Sequence, residues 1–228
     1  MINEVIEPAV FDPAHLNQEI STSEELNPCT WILANGTPAS CVQLGLKQFA
    51  KTTDPVDLVV SGPNYGKNST AVFALSSGTI GAAMEAALYG KRAVALSFAS
   101  PEDGVHDLTR ITEACEHAIR VVGHLYENWD AQVHVYSVNV PLQKRTDKRR
   151  VFWTEIQQNS WGEGTAFREA DESAGTRFQW APKMDEISAG TKGSAAPEDS
   201  WALINGFTSV TPLRANFMHV TRVGELEI

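Results

Sequence analysis

The residues best suited to chemistry stand between positions 61 and 79, in the stretch SGPNYGKNSTAVFALSSGT. Asn64 and Asn68 offer amides, Lys67 offers a cation, and Ser69, Thr70, Ser77 and Thr79 offer hydroxyls. Gly62 and Gly66 permit tight turns and close approach of backbone to a ligand. Two kinds of element have to position these groups. Residues 58 to 61 are a short apolar, β-branched run stopped by Gly-Pro, which predicts a buried strand delivering a loop at its carboxyl end. Ser77-Gly78-Thr79 then opens a helix of small residues, Gly81, Ala82, Ala83, Ala86 and Ala87, that closes at Gly90, and residues 93 to 97 predict a second apolar strand. Together they make one βαβ unit, with hydroxyls and amides gathered where open α/β sheets bind ligands.

The 228 residues suffice for one sizeable core, and a composition of 43% hydrophobic and 20% charged residues is that of a globular chain. A net charge of −10 argues against a nucleic-acid polymer or an anionic membrane as partner, because phosphate-backbone affinity needs clustered Lys and Arg. A single mononucleotide stays compatible with it. Cys29, Cys41 and Cys115 are widely spaced and odd in number, with neither a zinc spacing nor a disulfide framework. No apolar run approaches the roughly 20 residues of a membrane span, and the opening MINEVIEPAVFDP is acidic rather than signal-like. A reducing, cytoplasmic setting is the expectation. The sequons at Asn35 and Asn68 fall inside motifs with another reading.

Residues 1 to 30 show no clear strand and read as an irregular lead-in; residues 31 to 228 read as a single domain. Trp31 to Ala34 predicts a strand, and Thr37 and Pro38 predict the cap and first position of a helix reaching about Ala50, with Cys41, Val42, Gly45, Leu46 and Phe49 as its buried stripe. Asp107 to Asn128 is the most regular helical pattern, carrying Leu108, Ile111, Cys115, Ala118, Ile119, Val122 and Leu125. His117 and His124 lie seven apart on it and read as core-edge or solvated histidines rather than metal ligands, since zinc pairs usually sit four apart. Val133 to Val140 and residues 151 to 160 predict strands separated by the basic KRTDKRR turn. Residues 161 to 200, rich in Gly, Ala, Ser, Glu and Asp, read as a flexible insertion with partial order. Trp201 to Ile204 and Phe207 to Val210 predict two short strands, with Thr211-Pro212-Leu213 breaking away. The expected fold is α/β: a three-layer, mostly parallel, Rossmann-like sheet with a late β-hairpin extension.

Several segments, in order, resemble the SurE family of survival-protein metallophosphatases, that is, 5′/3′-nucleotidases of acid phosphatase-like type. NGTPASCV at 35 to 42 resembles the family's GTPADCV, VDLVVSGPNYGKN at 56 to 68 its PDLVVSGxNxGxN core, and SSGTIGAAMEAALYG at 76 to 90 its SGTVxAAMEG helix start. VNVP at 138 to 141 is similar to its NxP strand end, and INGFTSVTPL at 204 to 213 to its closing GyxSVTPL. The resemblance spans about 180 residues, and the wording of 61 to 79 is most similar to fungal members.

The resemblance implies a divalent cation, Mg²⁺ or Mn²⁺, that polarises a phosphoryl oxygen of a nucleoside 5′- or 3′-monophosphate, with Asn64 among its ligands. It implies phosphate received on the backbone and hydroxyls of Ser77, Gly78 and Thr79 at a helix start, Asn68 beside them, and His219 assisting the leaving group. Each residue also has a plainer reading. Asn64 could serve a left-handed turn, Ser77 could be an N-cap, Asn68 could support the loop and His219 could be a tail residue. The family's metal site begins with an Asn-Asp-Asp-Gly strand end, and no Asp-Asp pair occurs in this sequence, while Ser40 stands where the family carries Asp. The expectation is therefore a SurE-like fold without its N-terminal strands and a nucleotidase impaired for want of carboxylate ligands. The alternative is an inactive SurE-like binding or assembly module. Both expectations include a homodimer or tetramer formed through the late β extension. A Rossmann-type cofactor protein is disfavoured because no G-x-G-x-x-G lies between a strand and a helix.

Overall fold

The computed structural model describes residues 8–11, 31–50, 55–99, 107–143, 149–161, 166–170, 177–181 and 197–217. In chain order the elements are β1 (Pro8–Phe11), β2 (Trp31–Ala34), α1 (Pro38–Leu44) with a π-helical turn (Gly45–Phe49), β3 (Leu58–Tyr65), α2 (Ala71–Ser76), α3 (Gly78–Leu88) and β4 (Arg92–Ala99). They continue with α4 (Leu108–Glu127), β5 (Val135–Pro141), β6 (Val151–Trp153), β7 (Phe167–Ala170), β8 (Arg177–Trp180), α5 (Asp199–Ile204) and β9 (Thr208–Leu213). The main sheet has the order β3-β4-β5-β9-β6. Strands β3, β4 and β5 run parallel, β9 is antiparallel to β5, and β6 is parallel to β9. The expected α/β, mostly parallel sheet is therefore present.

Alternation along β4 and β5 builds the three layers. Val94, Leu96 and Phe98 with Tyr136, Val138 and Val140 face α4, meeting Ala114, Ala118, Val121 and Leu125. Ala93, Ala95 and Val135 face the other way, against Ile80, Ala83 and Ala86 of α3. Small residues on both sides of that second contact let the helix approach the sheet closely. Each fully buried valine in these layers contributes about 1.5–3 kcal/mol by leaving water.

The start of α1 follows the capping expected from the sequence, and α4 adds a cap of the same chemistry. Thr37 caps α1 by accepting from the Ser40 N–H at 3.2 Å, with Pro38 in the first turn, and Asp107 caps α4 by accepting from Thr109 at 2.8 Å. Of the expected stripe of α4, Ala118 and Leu125 are buried and Ile111, Cys115 and Val122 pack against the core, but Leu108 is 80% and Ile119 72% exposed, while His117 and Val121 are buried as well. Its buried line is Ala114, His117, Ala118, Val121 and Leu125, because three- and four-residue steps from Ala114 exclude position 119. Val42 of α1 and Leu46 of the π-helical turn pack against the second core layer, but Cys41 and Gly45 are exposed.

Other expectations are corrected. Strand β3 does not stop at Gly-Pro; it continues to Tyr65 across an irregularity between Ser61 and Asn64. Residues 199–204, expected as strand over 201–204, form helix α5, with Ala202 and Leu203 buried and Trp201 partly exposed. Short apolar runs do not declare their period, so packing decided this one. Thr211-Pro212-Leu213 stays in β9, where Pro212 pairs with Tyr136. Strand β6 ends opposite Val210, so the flank at Pro212 is open and its missing N–H costs no ladder bond. Of residues 151–160 only Val151–Trp153 are a strand of the main sheet. In the lead-in, where no strand was expected, β1 pairs antiparallel with β2. Within 161–200, β7 and β8 make an antiparallel two-stranded ribbon, and of the basic turn at 144–150 residues 144–148 lie outside the described residues.

His117 is buried, as the core-edge reading requires, and its Nε2 lies 3.0 Å from Thr208 Oγ1, tying α4 to the start of β9. Burial, followed by the positive charges of Arg149 and Arg120, lowers its pKa to about 4, so the ring is neutral at pH 7. Its stabilising contribution is complete above the unfolded value near 6.5 and is lost as pH falls toward 4, because the unfolded chain then binds a proton the folded one refuses. Between pH 6.5 and 4 the wild type is expected to lose about 2–3 kcal/mol more than His117→Gln, read from urea melts across that range. Parallel pH profiles of the two proteins would contradict the assignment.

Candidate functional site

At the carboxyl ends of β3, β4 and β5 the face toward α3 changes character. Ala93 and Ala95 of β4 are followed on that face by Ser97, and Val135 of β5 by Ser137 and Asn139, all buried. In register, Asn64 pairs with Ser97, Ser97 with Asn139, and Asn139 with Ser209. This polar row receives the loop that follows β3. Asn68 donates from Nδ2 to Ser97 Oγ at 2.6 Å, and its backbone N–H donates to Asn139 Oδ1 at 2.9 Å. Asn139 Nδ2 in turn donates to Ser209 Oγ at 3.3 Å. Asn68 is 6% exposed, so its main work is to support the loop.

Backbone geometry explains the glycines. Gly62 has φ +107°, and a Cβ there would stand 2.2 Å from the Leu96 carbonyl oxygen. Gly66 has φ +146° and donates to the Phe98 carbonyl at 2.9 Å. The Gly62–Pro63 peptide is cis. Asn64 itself is in the strand with no positive φ, so the left-handed-turn reading of this residue is excluded. Its Nδ2 lies 3.4 Å from the Gly66 carbonyl, which leaves Oδ1 as the acceptor available to a ligand.

The second group of expected residues opens α3. Ser77 is its N-cap, accepting on Oγ from the Ile80 N–H at 3.0 Å, so the capping reading of this residue holds. The Gly78 and Thr79 N–H groups have no partner among the described hydrogen bonds, and Gly78 is exposed. A Cβ on Gly78 would meet Pro38 Cγ at 3.0 Å, which places the start of α1 beside the start of α3. No described hydrogen bond links Ser77, Gly78 or Thr79 to Asn64 or Asn68. His219 lies outside the described residues.

A cavity of about 560 Å³ lies beside these elements, lined by Ala71, Ala74, Ile80, Met84, Thr211 and Leu213 among others. It borders the second core layer and includes none of Asn64, Asn68, Ser77, Gly78 or Thr79, so it is not the pocket expected to join them.

A hard divalent cation needs about six oxygen ligands, normally including carboxylates. Asn64 supplies one neutral oxygen, and among the described residues no group of three His, Cys, Asp or Glu side chains could hold a metal. The described residues therefore do not fit the cation on their own.

Sequence reading missed Asp199. It is 1% exposed and accepts three backbone N–H groups, from Thr70, Gln157 and Ser200, at 2.8, 3.1 and 2.8 Å. Burial raises its carboxyl above the ordinary range, and the three N–H donors pull it back. The Glu-Asp-Ser run before an apolar stretch was its only local signal, and that pattern is common on surfaces.

An open, mostly parallel α/β sheet with helices on both faces defines a three-layer fold of Rossmann-like class. The chain belongs to the SurE family: the family model described as Survival protein SurE matches residues 9–163. It is 36% identical over 191 residues to the 5′-nucleotidase SurE of Ruegeria pomeroyi, covering 80% of this chain and 69% of that protein. It is also 36% identical over 204 residues to the 5′-nucleotidase SurE of Cereibacter sphaeroides, covering 85% and 73%. A Saccharomyces cerevisiae protein described as "Probable tubulin–tyrosine ligase PBY1" is 33% identical over 243 residues; the match takes 95% of this chain but spans about a third, 31%, of the yeast protein. In fold the chain is similar to the crystal structure of the SurE protein from Aquifex aeolicus, with a TM-score of 0.64 at 22% identity over 96% of this chain and 77% of that one. Among the described residues no helix is long and apolar enough to cross a membrane.

Proposed function

We propose that this chain is the core of a phosphomonoester hydrolase acting on nucleoside 5′- or 3′-monophosphates. The observation that carries the reading is the start of α3. Gly78 and Thr79 open an eleven-residue helix with N–H groups that no described protein atom occupies, and the Thr79 hydroxyl stands with them. The helix dipole favours an anion there, and two N–H donors suit phosphate oxygens. Asn64 Oδ1 stands at the end of β3 and the exposed Lys67 in the segment that follows it, where Lys67 supplies positive charge in a chain of net charge −10. These residues bind and orient the phosphate, and Ser77 holds the helix start rigid by capping it. Family membership supports dependence on a divalent cation, Mg²⁺ or Mn²⁺, impaired in this chain for want of the family's Asp-Asp ligands, and a proton donor at His219. Cytoplasmic location and a homodimer or tetramer complete the reading; the ribbon of β7 and β8, with Phe178 62% and Trp180 49% exposed, supports self-association.

The absence of a metal-binding carboxylate set among the described residues favours one second reading, a SurE-like module that binds phosphate without hydrolysing it. One experiment separates them. Inorganic phosphate and AMP are titrated into the ¹⁵N-labelled chain, and AMP hydrolysis is followed with Mn²⁺ and with Mg²⁺. The hydrolase reading expects the Gly78 and Thr79 amides to shift and AMP turnover to fall at least about tenfold in Asn64→Ala. Shifts without turnover mean the binding module. Amides that stay still up to millimolar phosphate overturn the site.

A further inference from the structure

We propose that Asp199 is a positioning residue for the candidate site: its carboxylate holds the Thr70 backbone, and through it the segment 62–70, the end of β3 and the loop after it, that carries Asn64 and Asn68. The site this loop would serve rests on the nucleotidase reading, but the positioning is argued from contacts alone.

Three successive N–H groups at the start of α2 are satisfied from far along the chain. Thr70 donates to Asp199 Oδ2 at 2.8 Å, Ala71 to the Gln157 carbonyl at 2.8 Å, and Val72 to Asn159 Oδ1 at 3.1 Å. Asp199 Oδ1 accepts from Gln157 at 3.1 Å and from Ser200 at 2.8 Å, so one buried carboxylate joins the loop, the 157–159 segment and the start of α5. Ser200 Oγ bonds Gln157 Oε1 and closes the group. The charged neighbours are Glu198 on the same turn and Glu155, whose carbonyl accepts from the Asp199 N–H at 2.9 Å.

Thr70 explains why the tie is needed. It has φ +70°, a conformation that β-branched residues avoid, and its buried hydroxyl has no hydrogen-bond partner among the described residues. Together these cost stability, and such a backbone persists only where its surroundings over-determine it. The bend at Thr70 turns the chain from the polar row beneath Asn68 into α2. Without the carboxylate the bend relaxes, Asn68 leaves Ser97 and Asn139, and the loop loses its aim.

Asp199→Asn tests this. An asparagine that keeps its oxygen on the side of Gln157 and Ser200 turns an NH₂ toward the Thr70 N–H, donor against donor. The expected result is unchanged far-UV circular dichroism, at least about a hundredfold faster hydrogen exchange at Thr70, Ala71 and Val72 relative to β4 and β5, and broadened Asn64 and Asn68 side-chain amide signals. Adding Thr70→Gly, which removes the torsional strain but keeps the N–H, is expected to restore sharp Asn64 and Asn68 signals. A residue of purely structural importance would lower the melting temperature without that rescue. Exchange at 70–72 unchanged in Asp199→Asn, or signals not restored by Thr70→Gly, overturns the proposal. If the variant does not fold, the wild type decides: the amide protons of Thr70, Gln157 and Ser200 are expected to titrate with one midpoint, that of the Asp199 carboxyl, and a Thr70 amide that ignores it overturns the proposal. If phosphate leaves Gly78, Thr79, Asn64 and Asn68 unmoved in the wild type, the nucleotidase reading fails while the exchange data still decide the role of Asp199.

Discussion

Gly62→Ala is expected to cost more than about 3 kcal/mol, enough to lower the melting temperature of a chain this size by roughly 10 °C or to leave it insoluble. Two independent penalties act at this position. At φ +107° an L side chain is strained, and the added Cβ would stand 2.2 Å from the Leu96 carbonyl oxygen and 2.9 Å from the Asn64 N. The first obstacle is backbone of β4, a central strand packed on both faces, and cannot swing away as a side chain would. Relief requires β3 to separate from β4 at the point where the strand becomes the site loop, so the Asn64 side chain is displaced with it. Gly45→Ala is the control: it lies in the helical segment with nothing within 4 Å of the added Cβ, and it is expected to be neutral or to stabilise by up to about 1 kcal/mol. Urea melts of both variants check the pair. Equal effects would mean that the approach of Gly62 to Leu96 is not a constraint.

The second large effect belongs to Asn139. It is fully buried, and its two polar atoms serve two partners, the Asn68 backbone N–H at 2.9 Å and Ser209 Oγ at 3.3 Å. Asn139→Leu preserves most of the volume but strands the Asn68 N–H and the Ser209 hydroxyl in a water-poor layer. Leaving one such group unpaired costs about 1–3 kcal/mol, so a loss of about 2–4 kcal/mol is expected. The damage should also reach the loop, because Asn68 loses one of its two ties to the sheet. Ser209→Ala removes only the longer bond and is expected to cost about 1 kcal/mol or less. The measurement is the difference in unfolding free energy between the two variants, together with the Asn68 side-chain signal. If Asn139→Leu is no worse than Ser209→Ala, the polar row does not hold the loop.

Sequence by itself determined the elements whose information is local. The caps at Thr37 and Ser77, the small-residue face of α3 and the apolar strands at 58–61 and 93–97 follow from hydrogen-bonding groups and periodicities within a few residues, and the structure contains them. The ordered SurE motifs carried the family in the same way, since each is a run of adjacent residues. Tertiary structure decided what depends on partners distant in the chain. DSWALI became a helix because Ala202 and Leu203 could be buried on one side, and β3 ran past Gly-Pro because Asn64 found Ser97 in register. The sequence singled out Asn68, but its burial was not legible there, because its partners Ser97 and Asn139 stand 29 and 71 positions away. Asp199 lies 129 residues from Thr70, and a lone acidic residue in a polar segment carries no sign of which amides will surround it. A carboxylate acquires such a role only when folding removes its water and puts three N–H groups in its place.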